Sequence, residues 1–151
     1  MTNLINIDRS VSFNPEAFIG VGWVIEEQDE RSLLLTNIDP DSIILETTLI
    51  DEGKLIKGEE RLTHLKEKEC VRLDASVFLF FWKNQNLIPE KWKEKDGINP
   101  TYIFFHGTIL RNSRGDRYTL FLWFDRGGWN WSFNWLDSTF STSKPSATLS
   151  L

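Results

Sequence analysis

Few residues in this sequence could carry out catalysis. His106 could act as a general base with Asp116 or Asp125 as the carboxylate that orients its ring, since proton transfer needs such groups within hydrogen-bond reach. Nothing completes that pair with a nucleophile in a recognisable turn: GxSxG, P-loop and GxGxxG patterns are absent. The other histidine, His64, is far away in a charged stretch, and Cys70 is the sole cysteine. That set supports neither a zinc site nor an intrachain disulfide. His106 is therefore expected to be structural. No catalytic residue, metal or cofactor is expected, and the alternative is a small enzyme with a pocket near His106.

Arginine offers a second kind of chemistry. Arg111, Arg114, Arg117 and Arg126 would form an anion site if two loops met, because guanidinium groups suit bidentate anion binding. Successive hairpin loops of a meander lie at opposite ends, which separates Arg126 from the others. Arg114-Gly115-Asp116 spells a tripeptide read by adhesion receptors, but a tight turn asks for the same residues on its own account.

Stacking chemistry is the best represented. Residues 118–136 read YTLFLWFDRGGWNWSFNWL. Asp125-Arg126-Gly127-Gly128 has the composition of a hairpin turn. Pairing Phe124 with Trp129 sets Leu122 against Trp131, Leu120 against Phe133 and Tyr118 against Trp135. Side chains alternate across a strand, so this places one unbroken apolar row on one face. Such a row belongs in the core or an interface, since large apolar patches are rare on soluble monomers. The other face mixes Trp123 and Phe121 with Arg117, Asn130, Ser132 and Asn134. These six are the candidate ligand-binding residues: rings beside amides and hydroxyls suit stacking on sugar or base faces. The competing reading is that a helix covers this face too, because tryptophan is usually highly buried.

Several elements must position that hairpin. Ile19–Glu27, Arg31–Asn37 and Ser42–Ile50 read as three strands of an N-terminal meander, with turns at 28–30, 39–42 and 51–53. Gly58–Glu69 reads as a surface helix on Leu62 and Leu65. Asp74 is a good N-cap for a helix over Ala75–Asn86, although VFLFFW also suits a strand. Pro89 interrupts before a short helix at Lys91–Lys95. Tyr102–Leu110, Arg117–Phe124 and Trp129–Leu136 form a C-terminal three-stranded meander. Glycines inside strands, such as Gly107, mark a bulge or a close backbone approach. The expected fold is α+β, with antiparallel β-meanders at both ends and a central helical segment packed on the sheet. A single domain over 1–151 is expected, with flexible ends at about 1–13 and 139–151, the latter rich in Ser and Thr.

Composition agrees. A chain of 151 residues suits one domain that buries roughly two thirds of its unfolded surface. The net charge of −5 is uneven, acidic in the first half and slightly basic in the second, and the overall acidity disfavours nucleic acid. No secretory signal opens the chain and the densest apolar run, Val77–Trp82, is too short for a bilayer. With its lone cysteine, the chain reads as soluble and cytoplasmic, without membrane association.

Taken together, Leu73-Asp74-Ala75, Phe78, Trp82, Asn84, Leu87-Ile88-Pro89-Glu90, Trp92-Lys93, Phe104-Phe105, Gly107-Thr108, Gly115, Arg117-Tyr118, Trp129, Trp131 and Trp135-Leu136-Asp137 resemble a group of small bacterial proteins without an assigned activity. The resemblance covers roughly residues 19–148. It implies a complete small protein and carries over no catalytic residue. The expected function is non-enzymatic: a binding or protein-interaction module that uses the aromatic hairpin. Its expected partner is another protein, a second copy of itself, or a small-molecule or sugar ligand.

Overall fold

The computed structural model describes residues 4–47 and 55–151. In chain order these contain β1 (Ile5–Asn6), α1 (Pro15–Phe18), β2 (Val24–Gln28), α2 (Glu30–Leu33), β3 (Asn37–Ile38), β4 (Ile44–Glu46), β5 (Ile56–Lys57), α3 (Gly58–Glu67), β6 (Cys70–Arg72) and α4 (Ala75–Lys83). Then follow β7 (Ile103–Phe104), β8 (Thr108–Arg111), β9 (Arg117–Asp125), β10 (Gly128–Trp135), β11 (Thr139–Phe140) and β12 (Ser146–Ser150). The fold is α+β. No helix among the described residues is long and apolar enough to cross a membrane.

The long strand β9 organises the main sheet. Its full length pairs with β10 on one edge. Its other edge is shared by β8, at Arg117 and Tyr118, and β7, at Leu122 and Phe121. Beyond β8 lies β2. Beyond β7 lies β12, which runs parallel to it and pairs in turn with β4 and β6. Strands β8, β9 and β10 thus form the C-terminal antiparallel meander read from the sequence.

The predicted strand Tyr102–Leu110 divides because the chain must clear a neighbour at Gly107. A Cβ there would lie 2.2 Å from the carbonyl oxygen of Arg72. The glycine carbonyl accepts the Asp29 amide and its own amide donates to Leu73. Close approach is the reason for this glycine, and it is what lets β7 and β8 lie on one edge of β9.

Helix α4 settles the ambiguity of VFLFFW. Asp74 accepts from the Ser76 amide as N-cap, and the helix buries Ala75, Val77, Phe78 and Phe81 against the sheet. Trp92 and Phe105 complete that core, both fully buried. The short helix after Pro89 is a 3₁₀ turn at Glu90–Lys93.

Two parts differ from expectation. The three segments of the predicted N-terminal meander do not pair with one another among the described residues: β2 joins β8, β3 joins the preceding strand β1, and β4 joins β12. Arg31–Asn37 is largely not a return strand, because Asp29 caps the Arg31 amide and starts the helical turn α2. The third predicted strand survives as β4, while its end at 48–50 lies outside the described residues.

Residues of both terminal segments contribute to the interior. Ile5, Ile7 and Phe13 are buried, and β12 places Ser146, Ala147 and Thr148 in the interior. The tail looked unstructured by composition because its hydroxyls are polar. Two of them instead find partners within the fold: Thr148 donates to the Ile44 carbonyl, and Ser146 sits between buried His106 and Arg61.

Candidate functional site at the tip of the aromatic hairpin

The β9–β10 register is the one read from the sequence, from Phe124 opposite Trp129 to Tyr118 opposite Trp135. A tight turn closes it, with positive φ at Arg126 (53°) and Gly127 (79°), the pattern of a type I′ hairpin. The apolar row faces the core. Trp131 packs 4.4 Å from Phe18 on α1, and Phe133 packs 4.8 Å from Trp23, centroid to centroid. Trp135, at the far end of the row, stays 45% exposed.

The opposite face carries a ladder of rings. It starts at buried Phe104, whose ring lies 4.6 Å from Phe121 at an interplanar angle of 23°. Phe121 in turn stacks on Trp123 at 5.2 Å and 28°. Tyr102 flanks both at 5.8 Å. Phe121 and Trp123 are only partly buried on this face.

Above Trp123 the ladder stops. The next position on this face is Asp125, opposite Gly128, so no ring continues the stack. An open cavity of about 440 Å3 lies there, lined by Trp123, Asp125, Arg126, Gly127, Gly128 and Asn130. A Cβ added at Gly127 or Gly128 would meet nothing within 4 Å. Phe121 covers one side of the Trp123 ring, and Trp123 is among the residues that line the cavity. A tryptophan, an aspartate and an asparagine whose Nδ2 donates to the Gly128 carbonyl at 3.3 Å thus line one concavity.

The six candidates divide accordingly. Trp123 and Asn130 line the cavity, and Phe121 supports it from below. Ser132 and Asn134 continue the row down β10 opposite Phe121 and Thr119, and Asn134 Oδ1 accepts from the Ser138 hydroxyl. Arg117 stands six residues from Trp123 along β9, roughly 20 Å away. It is held by Glu26 at 2.6 Å and Glu59 at 2.7 Å, and it ties β9 to β2 and α3. Tyr102 and Gly128 were missed as site residues. Gly128 could have been found from the register alone, as the gap where the next rung falls; Tyr102 could not, since only the β7–β9 pairing brings it there.

His106 sits in a different setting. It is fully buried, and its Nδ1 lies 2.7 Å from the Ser146 hydroxyl. Ser146 Oγ accepts from Arg61 Nη1 at 3.1 Å. The other ring nitrogen, Nε2, is buried without a hydrogen-bond partner among the described residues. Burial, with the Arg61 and Arg72 cations nearby, holds the His106 pKa well below its ordinary value. Burial also lowers Arg61 to about 10, opposed by the charge of Glu46. Neither Asp116, in the β8–β9 turn with Asn112, nor Asp125, at the hairpin tip, orients this imidazole. The imidazole is sealed from solvent in this fold.

A cavity of about 520 Å3 lies elsewhere, between the N-terminal segment and α4. Asp41 is its only titratable lining residue, and no set of acid and base groups converges in it. Among the described residues no cluster of three or more His, Cys, Asp or Glu side chains could hold a metal ion. Compared with protein-family models, with curated proteins and with solved structures, the chain matches none.

Proposed function

We propose that this protein is a non-enzymatic binding module that receives a small ring, of a sugar or another flat-faced ligand, against the free side of Trp123. One observation carries the reading: a stacked ladder of aromatic rings ends in Trp123 beside an open cavity that also presents Asn130 and Asp125. A pyranose fits this chemistry. Its C–H face packs on indole, while its hydroxyls donate to the Asp125 carboxylate and exchange bonds with the Asn130 amide. The ladder beneath Trp123 fixes the ring in advance, so little side-chain freedom is lost on binding.

Ligand-observed NMR against a panel of neutral oligosaccharides and nucleosides tests this. Binding is expected in the native chain. Trp123→Ala should abolish it by removing the platform. Gly128→Leu should abolish it by filling the cavity while every aromatic ring is retained. A panel without binders, or binding indifferent to Gly128→Leu, refutes the proposal.

A further inference from the structure

We infer that two copies of this chain pair through the free edge of β10, antiparallel and centred on Ser132, so that the sheet continues across a two-fold axis. This does not depend on the ligand proposed for Trp123.

The edge is open on one side. Among the described residues β10 has a single strand partner, β9. In an antiparallel ladder, alternate residues turn their N–H and C=O groups toward the partner and away from it. The hairpin closes at Asp125 and Gly128, and the Leu136 amide donates to the Arg117 carbonyl. Even-numbered residues therefore face β9, and Trp129, Trp131, Phe133 and Trp135 present their backbone groups outward. The Trp135 carbonyl accepts from Ser138. The outward groups of Trp129, Trp131 and Phe133 have no partner among the described residues.

Exposed edges are normally blunted by lysine, proline, a bulge or short length. This one has none of these. It runs for eight residues in unbroken register, GWNWSFNW, without a charge or a proline.

The sequence of the edge identifies the occupant. Residues 129–135 read Trp-Asn-Trp-Ser-Phe-Asn-Trp, a chemical palindrome about Ser132. A two-fold interface is isologous, so an edge strand that pairs with itself must be self-complementary about its centre. Here the symmetry sets Trp131 against Phe133 of the partner subunit, Asn130 against Asn134 of the partner subunit, and Trp129 against Trp135 of the partner subunit. Ser132 meets its own copy on the axis. In this register the hydrogen-bonded positions are the odd-numbered residues, the ones whose groups point outward, and they give about four new backbone bonds at the centre. No like charges meet across the seam, although each copy carries −5 overall. The 45% exposed Trp135 gains an aromatic neighbour.

The test is the oligomeric state of the full chain, by sedimentation equilibrium and light scattering across a concentration series. The native protein should be dimeric. Ser132→Lys and Ser132→Glu each place like charges opposite one another on the axis, and each alone should be monomeric, with half the mass and an unchanged far-ultraviolet spectrum. An equimolar mixture of the two should restore the dimer mass. A native chain that is monomeric throughout overturns the inference, as does a dimer that persists in both variants. If a variant misfolds, hydrogen exchange on the native chain decides instead. The Trp131 and Phe133 amides should become protected as concentration rises, and rapid exchange of both at all concentrations overturns the inference.

Discussion

The buried histidine makes the stability of this fold depend on pH in a calculable way. His106 is fully buried, and its folded-state pKa lies well below the ordinary value of 6.5 because of burial and the Arg61 and Arg72 cations. On unfolding the imidazole regains water and its ordinary pKa. Between the two values the unfolded chain binds one more proton than the folded chain, so stability rises with pH across that window. The contribution is complete above pH 6.5. It is lost as pH falls below that value, at ~1.4 kcal/mol per pH unit for one proton. From pH 6.5 to pH 5.0 the native protein should lose about 2 kcal/mol from this group alone, a sizeable part of a typical folding free energy of roughly 5–15 kcal/mol. Urea titrations followed by tryptophan fluorescence at pH 7.5, 6.5, 5.5 and 5.0 measure it. Staying above pH 5 keeps clear of Asp29, whose folded pKa is lowered from 3.8; burial opposes that shift, while bonds from Arg31 and Arg72 drive it. The comparison is with His106→Gln, which has no group that titrates there. That variant can be less stable at every pH, but its stability should be flatter by ~1.4 kcal/mol per unit below pH 6.5. Equal slopes in the two proteins would refute the assignment of a neutral, proton-excluding imidazole.

Two further substitutions probe the frame that holds the site. Gly107→Ala drives a methyl group into backbone, 2.2 Å from the Arg72 oxygen and 2.4 Å from the Leu73 carbonyl carbon. It should cost about 3 kcal/mol in urea unfolding, and a loss under about 0.5 kcal/mol would contradict the close approach. Arg9 spans from the N-terminal segment to Asp74, 2.8 Å from a carboxylate that is itself fully buried. Arg9→Met leaves Asp74 with its Ser32 and Ser76 bonds but without its cation. Thermal unfolding should show a loss of about 3 kcal/mol, with the midpoint falling accordingly.

The hairpin turn and the α4 cap are local signals that carry through to the structure, whereas the equally local cap at Asp29, which starts α2, reads in the sequence as a turn between strands. The turn Asp125-Arg126-Gly127-Gly128 and the alternation on each side fix the hairpin register, and the register fixes which rings share a face. Asp74 specifies the start of α4 through one side-chain bond to a backbone amide. What stayed hidden depends on partners distant in sequence. Strand β2 pairs with β8, some eighty residues away by Gln28 and Thr108, and no turn between neighbours encodes that. Strand β12 shows the limit most clearly. Ser146 and Thr148 look like a solvated tail until Arg61, His106 and Ile44 arrive to satisfy their hydroxyls. The candidate site shares this character: Trp123 and Asn130 are read from one hairpin, but Tyr102 reaches Trp123 only through the β7–β9 pairing.

The same hairpin can bear both an open tip and an open edge because its aromatic residues are divided by function. An isolated two-stranded hairpin is marginal in water. Here β9 is clamped along its other edge by β7 and β8, and Trp131 and Phe133 lock the inner face of β10 against Phe18 and Trp23. Rigidity thus comes from the inner row and from one edge only. The outer face is left to end in Trp123, and the outer edge is left to end in unpaired backbone. In the inferred dimer the partner's Asn134 would come beside Asn130, at the rim of the Trp123 cavity. A ligand that bridges that rim would then bind more weakly to the monomeric Ser132→Lys protein than to the native dimer, while one confined to the indole face would bind both alike. Comparing the two affinities for any binder found therefore decides whether tip and edge act together or independently.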